Sequence, residues 1–157
     1  MRLSELINIS IKDIVFSEMR LTVIGKGNKE RTIYLNKSCI NSIEAYLKIR
    51  PVEGVKFDSK DALFLSERKE RISNRTVQQV VKNELQKAGI DSNKYSVHKL
   101  RHTAATLMYQ NGVDVLVLQN ILGHENLNTT KIYTHIDNKL AREAIEKNPL
   151  ANIKKDS

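Results

Sequence analysis

The sequence predicts an α+β fold, a mainly helical domain with a small three-stranded antiparallel sheet near its N-terminus. Short segments rich in Ile, Val, Thr and Tyr occur near the beginning of the chain, and apolar residues at helical spacing dominate the remainder. No repeat, low-complexity tract or Gly/Ser-rich linker divides the 157 residues. This length fits one domain with a substantial core.

The sheet is predicted after a first helical segment. Residues 2–6 have the pattern of the inside of an amphipathic helix, with no capping residue ahead of them. The run Gly25-Lys26-Gly27-Asn28 is a turn signal, since Gly and Asn adopt positive φ at little cost. Strands are predicted around this turn at residues 13–16, 20–24 and 31–35.

The helices are predicted from caps and apolar spacing. Asn36 is a predicted N-cap for a helix that ends before Pro51, and Ser73 or Asn74 opens a helix that ends at Gly89. Residues 62–65 are ambiguous. Further helices are predicted at residues 98–110, at 115–122 between Asp114 and Gly123, at 129–135 and at 138–147, with a loose tail from Pro149.

The composition favours a partner with negative charge. The chain carries 26 Lys and Arg against 18 Asp and Glu, which gives a net charge of +8 and an isoelectric point near 9.6. Such a field favours nucleic acid, although a basic surface without a partner is the alternative. No apolar run approaches the roughly 18 residues of a membrane span, and the N-terminus lacks a signal-peptide pattern.

The single cysteine excludes an internal disulfide and fits a reducing, cytoplasmic setting. Cys39 has Ile40 and Ile43 as neighbours at helical spacing. We therefore expect a buried structural thiol rather than a catalytic one.

Several kinds of phosphoryl-transfer site are disfavoured by the motifs. Gly25-Lys26-Gly27 is not a P-loop, because the GxxxxGK[ST] pattern is absent. His98 and His102 are one helical turn apart but lack the glutamate of HExxH and have two cations between them. No acidic cluster suggests a two-metal nuclease, so we expect neither a metal nor another cofactor.

Cationic side chains offer a different phosphate site. His98 and Arg101 are three positions apart, so they share a helix face, and arginine donates two parallel hydrogen bonds to phosphate oxygens. His124 follows a helix end, and Tyr133 comes shortly afterwards. Each has an ordinary alternative: a core tyrosine, a capping or surface histidine, or a basic helix face.

Taken together, five segments resemble the tyrosine recombinases of the phage-integrase type, most closely the Xer-like and transposon-integrase branch. They occur in the family's order and approximate spacing over nearly the whole chain. The segments are RLSEL (2–6), VIGKGNKER (23–31), HKLRHT (98–103), LGH (122–124) and YTH (133–135). Met1 and Val97 depart from the family's usual residues beside these motifs, at positions with no catalytic role.

The resemblance implies a site-specific recombinase that binds double-stranded DNA and assembles on it as a tetramer. The nucleophile forms a covalent 3′-phosphotyrosine and leaves a free 5′-hydroxyl, and the strands are rejoined without metal or ATP. The implied catalytic residues are Arg2, Lys26, His98, Arg101, His124 and Tyr133. In addition, we expect Lys29 and Arg31 near the hairpin to contact phosphates.

The family also has an upstream helical domain that clamps the opposite face of DNA. The resemblance therefore implies that residues 1–148 are the catalytic domain of a longer protein and that residues 149–157 are a flexible tail. We expect DNA binding by this chain alone to be weak. The last helix has two open interpretations, packing on its own domain or docking on a neighbouring protomer.

Three rival functions remain at this stage. A type IB topoisomerase shares the same catalytic set but relaxes supercoils without exchanging partners. An inactive DNA-binding protein has no chemical reason to keep Lys26 or Tyr133. A helix-turn-helix repressor formed by residues 115–133 leaves the sheet and the HxxR helix without a role.

Overall fold

The computed structural model describes residues 1–92, 94–123 and 138–148, apart from the side chains of Lys26 and residues 138–140. The predicted α+β fold is confirmed. The strands are Ile14–Val15 (β1), Arg20–Ile24 (β2) and Glu30–Tyr34 (β3). The helices in the described ranges are Leu3–Asn8 (α1), Lys37–Ile49 (α2), Asn74–Lys87 (α3), Val97–Gln110 (α4), Val115–Leu122 (α5) and Asn138–Glu146 (α6).

The sheet has the order β1-β2-β3, and both pairings are antiparallel. Leu21, at its centre, pairs with Ile14 on one side and with Ile33 on the other. The predicted turn between β2 and β3 is confirmed, since Gly27 and Asn28 have φ of 74° and 60°. β1 is shorter than predicted because 3₁₀ turns occupy both of its flanks.

Local capping explains where several helices begin. The side chains of Asn36, Ser73 and Asp114 each accept a hydrogen bond from a backbone N–H of the first turn that follows. These three predicted caps are confirmed. The first helix differs from the prediction: α1 begins at Leu3, and the carboxylate of Glu5 accepts the backbone N–H of Arg2 at 2.6 Å.

The first hydrophobic core lies between the sheet, α2 and the segment after α1. Leu63 is 1% exposed within this core, and the ambiguous segment around it is neither helix nor strand but a bend between two isolated bridges, Ser10–Ala62 and Leu65–Arg71. The buried apolar members of this core are Ile9, Ile14, Leu21, Val23, Leu35, Ile40, Ile43 and Leu63.

Cys39 is exposed, so the prediction of a buried thiol was wrong. At about 100° per residue, Cys39 is close to Ile43 on the helix surface but about 100° from Ile40, so it lies at the edge of the apolar stripe and not at its centre. The expected apolar face of α3 is also only partly buried. Val77 is in the interior, whereas Val80 is 49% exposed.

A second core joins α4, α5 and α6. Ala144 of α6 is buried with Met108, Val113, Val117 and Leu118. The described part of α6 therefore packs on its own domain, which is one of the two interpretations left open by the sequence. The helix predicted at 129–135 and the tail from 149 lie outside the described residues.

Among the described residues, no helix combines the length and the apolar character that crossing a membrane requires.

Candidate active site

Arg2 lies at the start of α1, where its backbone is extended and its side chain bridges two structural elements. The guanidinium Nη1 is 3.4 Å from Glu5 Oε1, and Nη2 donates to the carbonyl oxygen of Gly123 at 2.8 Å. The Arg2 side chain is 40% exposed, whereas that of Glu5 is only 2% exposed. A buried carboxylate therefore holds an arginine whose guanidinium still reaches solvent.

Arg101 and His98 lie one turn apart on α4, which Ser96 caps by accepting the N–H of Lys99 at 3.3 Å. Nη2 of Arg101 donates to the carbonyl oxygen of Leu122. Nη1 of Arg101 is buried and has no hydrogen-bond partner among the described residues. His98 is exposed, and its ring meets that of His102 edge-on at 5.4 Å between centroids.

The C-terminal end of α5 accepts hydrogen bonds from Arg2, Arg101 and a third arginine, Arg31. Its last carbonyls have no partner within the helix and form the negative end of the helix dipole. Successive carbonyl oxygens accept from three arginines: Ile121 from Arg31, Leu122 from Arg101 and Gly123 from Arg2. Guanidinium groups from β3, α4 and the start of α1 thus meet at one helix end.

Gly123 permits this close approach. Its φ of 66° is left-handed, and a Cβ added there would lie 3.1 Å from the Arg31 guanidinium carbon. A side chain at this position would be strained and would also press on Arg31.

The predicted catalytic side chains that the structure describes all line one cleft. It has a volume of about 760 Å³, and its walls come from the N-terminus, α3, the segment before α4, and α4 itself. Arg2, His98 and Arg101 all line it, together with Gln78 and Lys82 of α3. The sequence prediction that these three residues share a site is therefore supported by their placement, while their catalytic roles stay predictions.

The electrostatics of this site are cationic. Burial, followed by the positive charge of Arg2, lowers the pKa of Arg101 from its usual value. Burial acts to raise the pKa of Glu5, but hydrogen bonds from the Arg2 backbone and the Arg31 guanidinium outweigh it, so the pKa falls below 4.5. Glu5 is therefore charged at neutral pH, yet it is one carboxylate among three arginines, with Arg2 and Arg31 in contact with it and Arg101 within electrostatic range.

The remaining predicted catalytic residues are described less fully. The backbone of Lys26 lies in the 3₁₀ turn Lys26–Asn28 at the tip of the hairpin. Gly25, just before it, is close to the arginine site: an added Cβ would be 3.7 Å from Glu5 Oε1 and 4.0 Å from Arg2 Nη1. His124 and Tyr133 lie outside the described residues.

Arg31 does not have the place that the sequence prediction gave it. We expected a phosphate contact, but its side chain is only 19% exposed, and its two Nη atoms donate to Glu5 and to Ile121. Glu5 was not predicted as part of the site at all. Its spacing from Arg2, which is that of an N-cap and N3 pair, was the available signal.

No group of three or more His, Cys, Asp or Glu side chains in the described ranges is arranged to hold a metal ion. The described polar side chains that line the cleft are guanidinium, ammonium, imidazole, amide and hydroxyl groups, with no carboxylate among them, which suits an anionic ligand.

Sequence comparison identifies close relatives. A tyrosine recombinase XerC from Caldanaerobacter subterraneus subsp. tengcongensis is 60% identical over 152 residues, which are 96% of this chain and 42% of the relative. A tyrosine recombinase XerA from Pyrococcus horikoshii is 42% identical and is matched over 94% of this chain and 50% of the relative. The chain thus spans half or less of the length of these relatives.

Solved structures of tyrosine recombinases resemble this chain in fold as well. A crystal structure of XerA recombinase superposes with a TM-score of 0.71 at 34% identity, over 90% of this chain and 51% of that one. XerH recombinase bound to a palindromic difH substrate, after cleavage, gives a TM-score of 0.68 at 33% identity over 93% and 41%. The model of the phage integrase family matches residues 1–139. The chain therefore belongs to the phage integrase family, whose relatives named above are tyrosine recombinases.

Proposed function

We propose that this chain is the catalytic domain of a site-specific DNA recombinase, with Tyr133 as the nucleophile that attacks a DNA phosphodiester. The single observation that carries the proposal is the pair of arginines in one cleft. Arg2 and Arg101 reach it from different elements and are fixed by neighbouring carbonyls, and Arg101 keeps a buried N–H donor free of described partners.

The chemistry of phosphodiester cleavage explains why two fixed arginines are useful. Negative charge develops on the nonbridging oxygens in the transition state, and preorganised cations lower its free energy. Because Arg2 and Arg101 are already hydrogen-bonded to the protein, little reorganisation is needed when the phosphate binds. We assign the clamp on the nonbridging oxygens to these two side chains.

The proton transfers are assigned to the other members of the set. Tyrosine has an ordinary pKa near 10, so its attack at neutral pH requires a base or a cationic environment. His98 is the proposed base, and His124 donates a further hydrogen bond to the phosphate. Lys26, which follows Gly25 in the hairpin turn close to Arg2, delivers a proton to the leaving 5′-oxygen. No step requires a metal or ATP, because the phosphotyrosine bond conserves the energy for rejoining.

Double-stranded DNA is the proposed substrate and partner. The net charge of +8 favours it, and the related XerH structure contains a DNA substrate. We further propose that residues 1–148 form the catalytic unit and that the active assembly on DNA is a tetramer. The relatives are about twice as long as this chain. We therefore propose that residues outside the matched region add DNA contacts to those that this chain makes.

The test uses DNA sites obtained independently of catalysis. Duplexes are selected from a random pool for binding to the Tyr133→Phe variant at low salt, where phosphate contacts are strongest. A set of selected duplexes is then nicked, each beside a different phosphate. Cleavage next to a nick releases a short oligonucleotide, so the covalent intermediate accumulates and is detected on a denaturing gel.

We expect a DNA-linked protein band with the wild-type chain and none with Tyr133→Phe. Arg101→Ala should bind the same duplexes and leave at most a trace of the band. The proposal is contradicted if the wild-type chain binds the selected duplexes but gives no band. A recombination assay with two sites then separates a recombinase from a topoisomerase, which would only relax supercoiled DNA.

A further inference from the structure

We infer that Arg31 is a positioning residue that holds the Arg2–Arg101 pair in its phosphate-binding arrangement. This inference rests on the proposed function, since it assigns Arg31 a role in the same cleavage reaction. Arg31 lies on β3 and does not line the cleft itself, so it acts through Glu5 and the end of α5.

The first line of evidence is the contact with Glu5. Nη2 of Arg31 donates to Glu5 Oε2 at 2.8 Å, whereas Arg2 Nη1 is 3.4 Å from Glu5 Oε1. The shorter interaction therefore belongs to Arg31. With Arg31 satisfying this carboxylate, the Arg2 guanidinium keeps its bond to Gly123 and its exposure to the cleft.

Loss of Arg31 would change that balance. Glu5 is 2% exposed, and a buried carboxylate deprived of one cation is drawn to the next available one. Arg2 is that cation. We expect its guanidinium to move toward Glu5 and away from the position where it meets a phosphate oxygen.

The second line of evidence is the contact with α5. Nη1 of Arg31 donates to Ile121 O at 2.9 Å, and the guanidinium lies against Gly123. The two carbonyls that follow Ile121 are the acceptors for Arg101 and Arg2. One planar guanidinium therefore connects the carboxylate behind Arg2 with the helix end that fixes both arginines.

Direct contact of Arg31 with DNA explains these observations less well. Its side chain is 19% exposed, and both Nη atoms already donate to protein acceptors. Its remaining nitrogen, Nε, has no partner among the described residues but is buried, so a phosphate at the surface does not reach it. A lysine at this position would keep the charge but lack the fork that reaches both acceptors.

The experiment compares Arg31→Lys with Arg20→Lys. Arg20 is a matched control on the neighbouring strand, where it pairs with Glu18 at 2.6 Å. Binding of the selected duplexes and the first-order rate of covalent adduct formation at saturating protein are measured separately. Circular dichroism establishes the folded fraction, to which each rate is normalised.

We expect Arg31→Lys to slow adduct formation by about 10- to 100-fold, as a displaced catalytic group does, with little change in affinity. Arg20→Lys should match the wild type. A duplex with a methylphosphonate at the scissile position provides the specific readout. Its phosphorus group carries no charge for the arginines to neutralise, so the loss caused by Arg31→Lys should be much smaller on it.

A second variant covers the case in which Arg31→Lys does not fold. Glu5→Gln/Arg31→Gln replaces the buried ion pair with two neutral amides, which leaves no unpaired buried charge. This variant loses the Arg31 contact with Ile121 but has no carboxylate to draw Arg2 away. It should therefore cleave more slowly than the wild type, by a smaller factor than a folded Arg31 variant that keeps Glu5, and this loss should also recover on the methylphosphonate.

The inference is overturned if Arg31→Lys cleaves as fast as Arg20→Lys. It is equally overturned if weaker binding accounts for the whole loss, or if the loss is the same on the methylphosphonate. Absence of an adduct with the wild-type chain on bound DNA is a distinct result, because it removes the proposed function itself and this inference with it.

Discussion

Glu5 and Arg31 form an ion pair of 2.8 Å between the first turn of α1 and the start of β3, with the Glu5 side chain 2% exposed. A charge so well removed from water is tolerated only when it is paired and hydrogen-bonded. Glu5 meets this requirement through Arg31 and through the backbone N–H of Arg2. The pair therefore links the sheet to the beginning of α1, where Arg2 lies.

Replacing the Glu5 carboxylate should destabilise the protein. Glu5→Gln leaves Arg31 and Arg2 facing each other without the intervening negative charge. Because one partner of a buried pair is removed, we expect a loss of about 3 kcal/mol in the free energy of unfolding. Urea denaturation followed by circular dichroism measures it. Glu18→Gln is the control, since its pair with Arg20 is exposed, and it should leave stability nearly unchanged.

The contribution of Glu5 should also depend on pH. Its pKa in the folded protein lies below the ordinary 4.5, so the folded state favours the ionised form. The resulting stability is fully present above pH 4.5 and is lost as the pH falls through the lower pKa of the folded state. The difference in unfolding free energy between wild type and Glu5→Gln should therefore shrink on acidification from pH 6. A difference that grows over that interval would contradict the assignment.

The helix caps were predictable because their chemistry is local. Asn36, Ser73 and Asp114 each lie directly before an apolar periodic segment, and each accepts a first-turn N–H. Residues whose placement depends on distant elements were not predictable in this way. Arg31, like Lys29, is near the predicted hairpin turn, which suggested a phosphate contact, but folding brings Glu5 and the end of α5 to it.

The same distinction between local and distant signals applies to the residues of the candidate site. The spacing of His98 and Arg101 places them on one helix face, and both line the cleft. The meeting of Arg2 with Arg101 had no signal in local spacing, because it depends on α1 and α4 both reaching the end of α5. Only the resemblance to a family joined them at the level of sequence.

Gly123 should be less tolerant of substitution than other glycines with positive φ. Gly123→Ala introduces a Cβ 3.1 Å from the Arg31 guanidinium, in addition to the strain of a left-handed residue, which is about 1–2 kcal/mol. Gly89→Ala is a matched control, since φ is 71° there and nothing described lies within 4 Å of the added Cβ. Thermal and urea unfolding should show a larger loss for Gly123→Ala. Equal losses would mean that Arg31 moves aside at no cost.

DNA binding by the chain should be weak and strongly salt-dependent, because phosphate contacts release condensed counterions. Lys82 of α3 lines the same cleft as Arg101 and is the residue to test. Lys82→Gln should lower affinity for all duplexes alike and reduce the slope of log affinity against log salt by about 1, the effect of one lost phosphate contact. Lys87→Gln on the same helix is the control, since Lys87 pairs with Glu84 at 2.8 Å and does not line the cleft. Fluorescence anisotropy across a salt series measures both slopes. If Lys82→Gln leaves the salt slope unchanged, the DNA does not pass along the side of the cleft formed by α3. If the wild-type chain forms a tight, site-specific complex, the expectation of weak binding is contradicted.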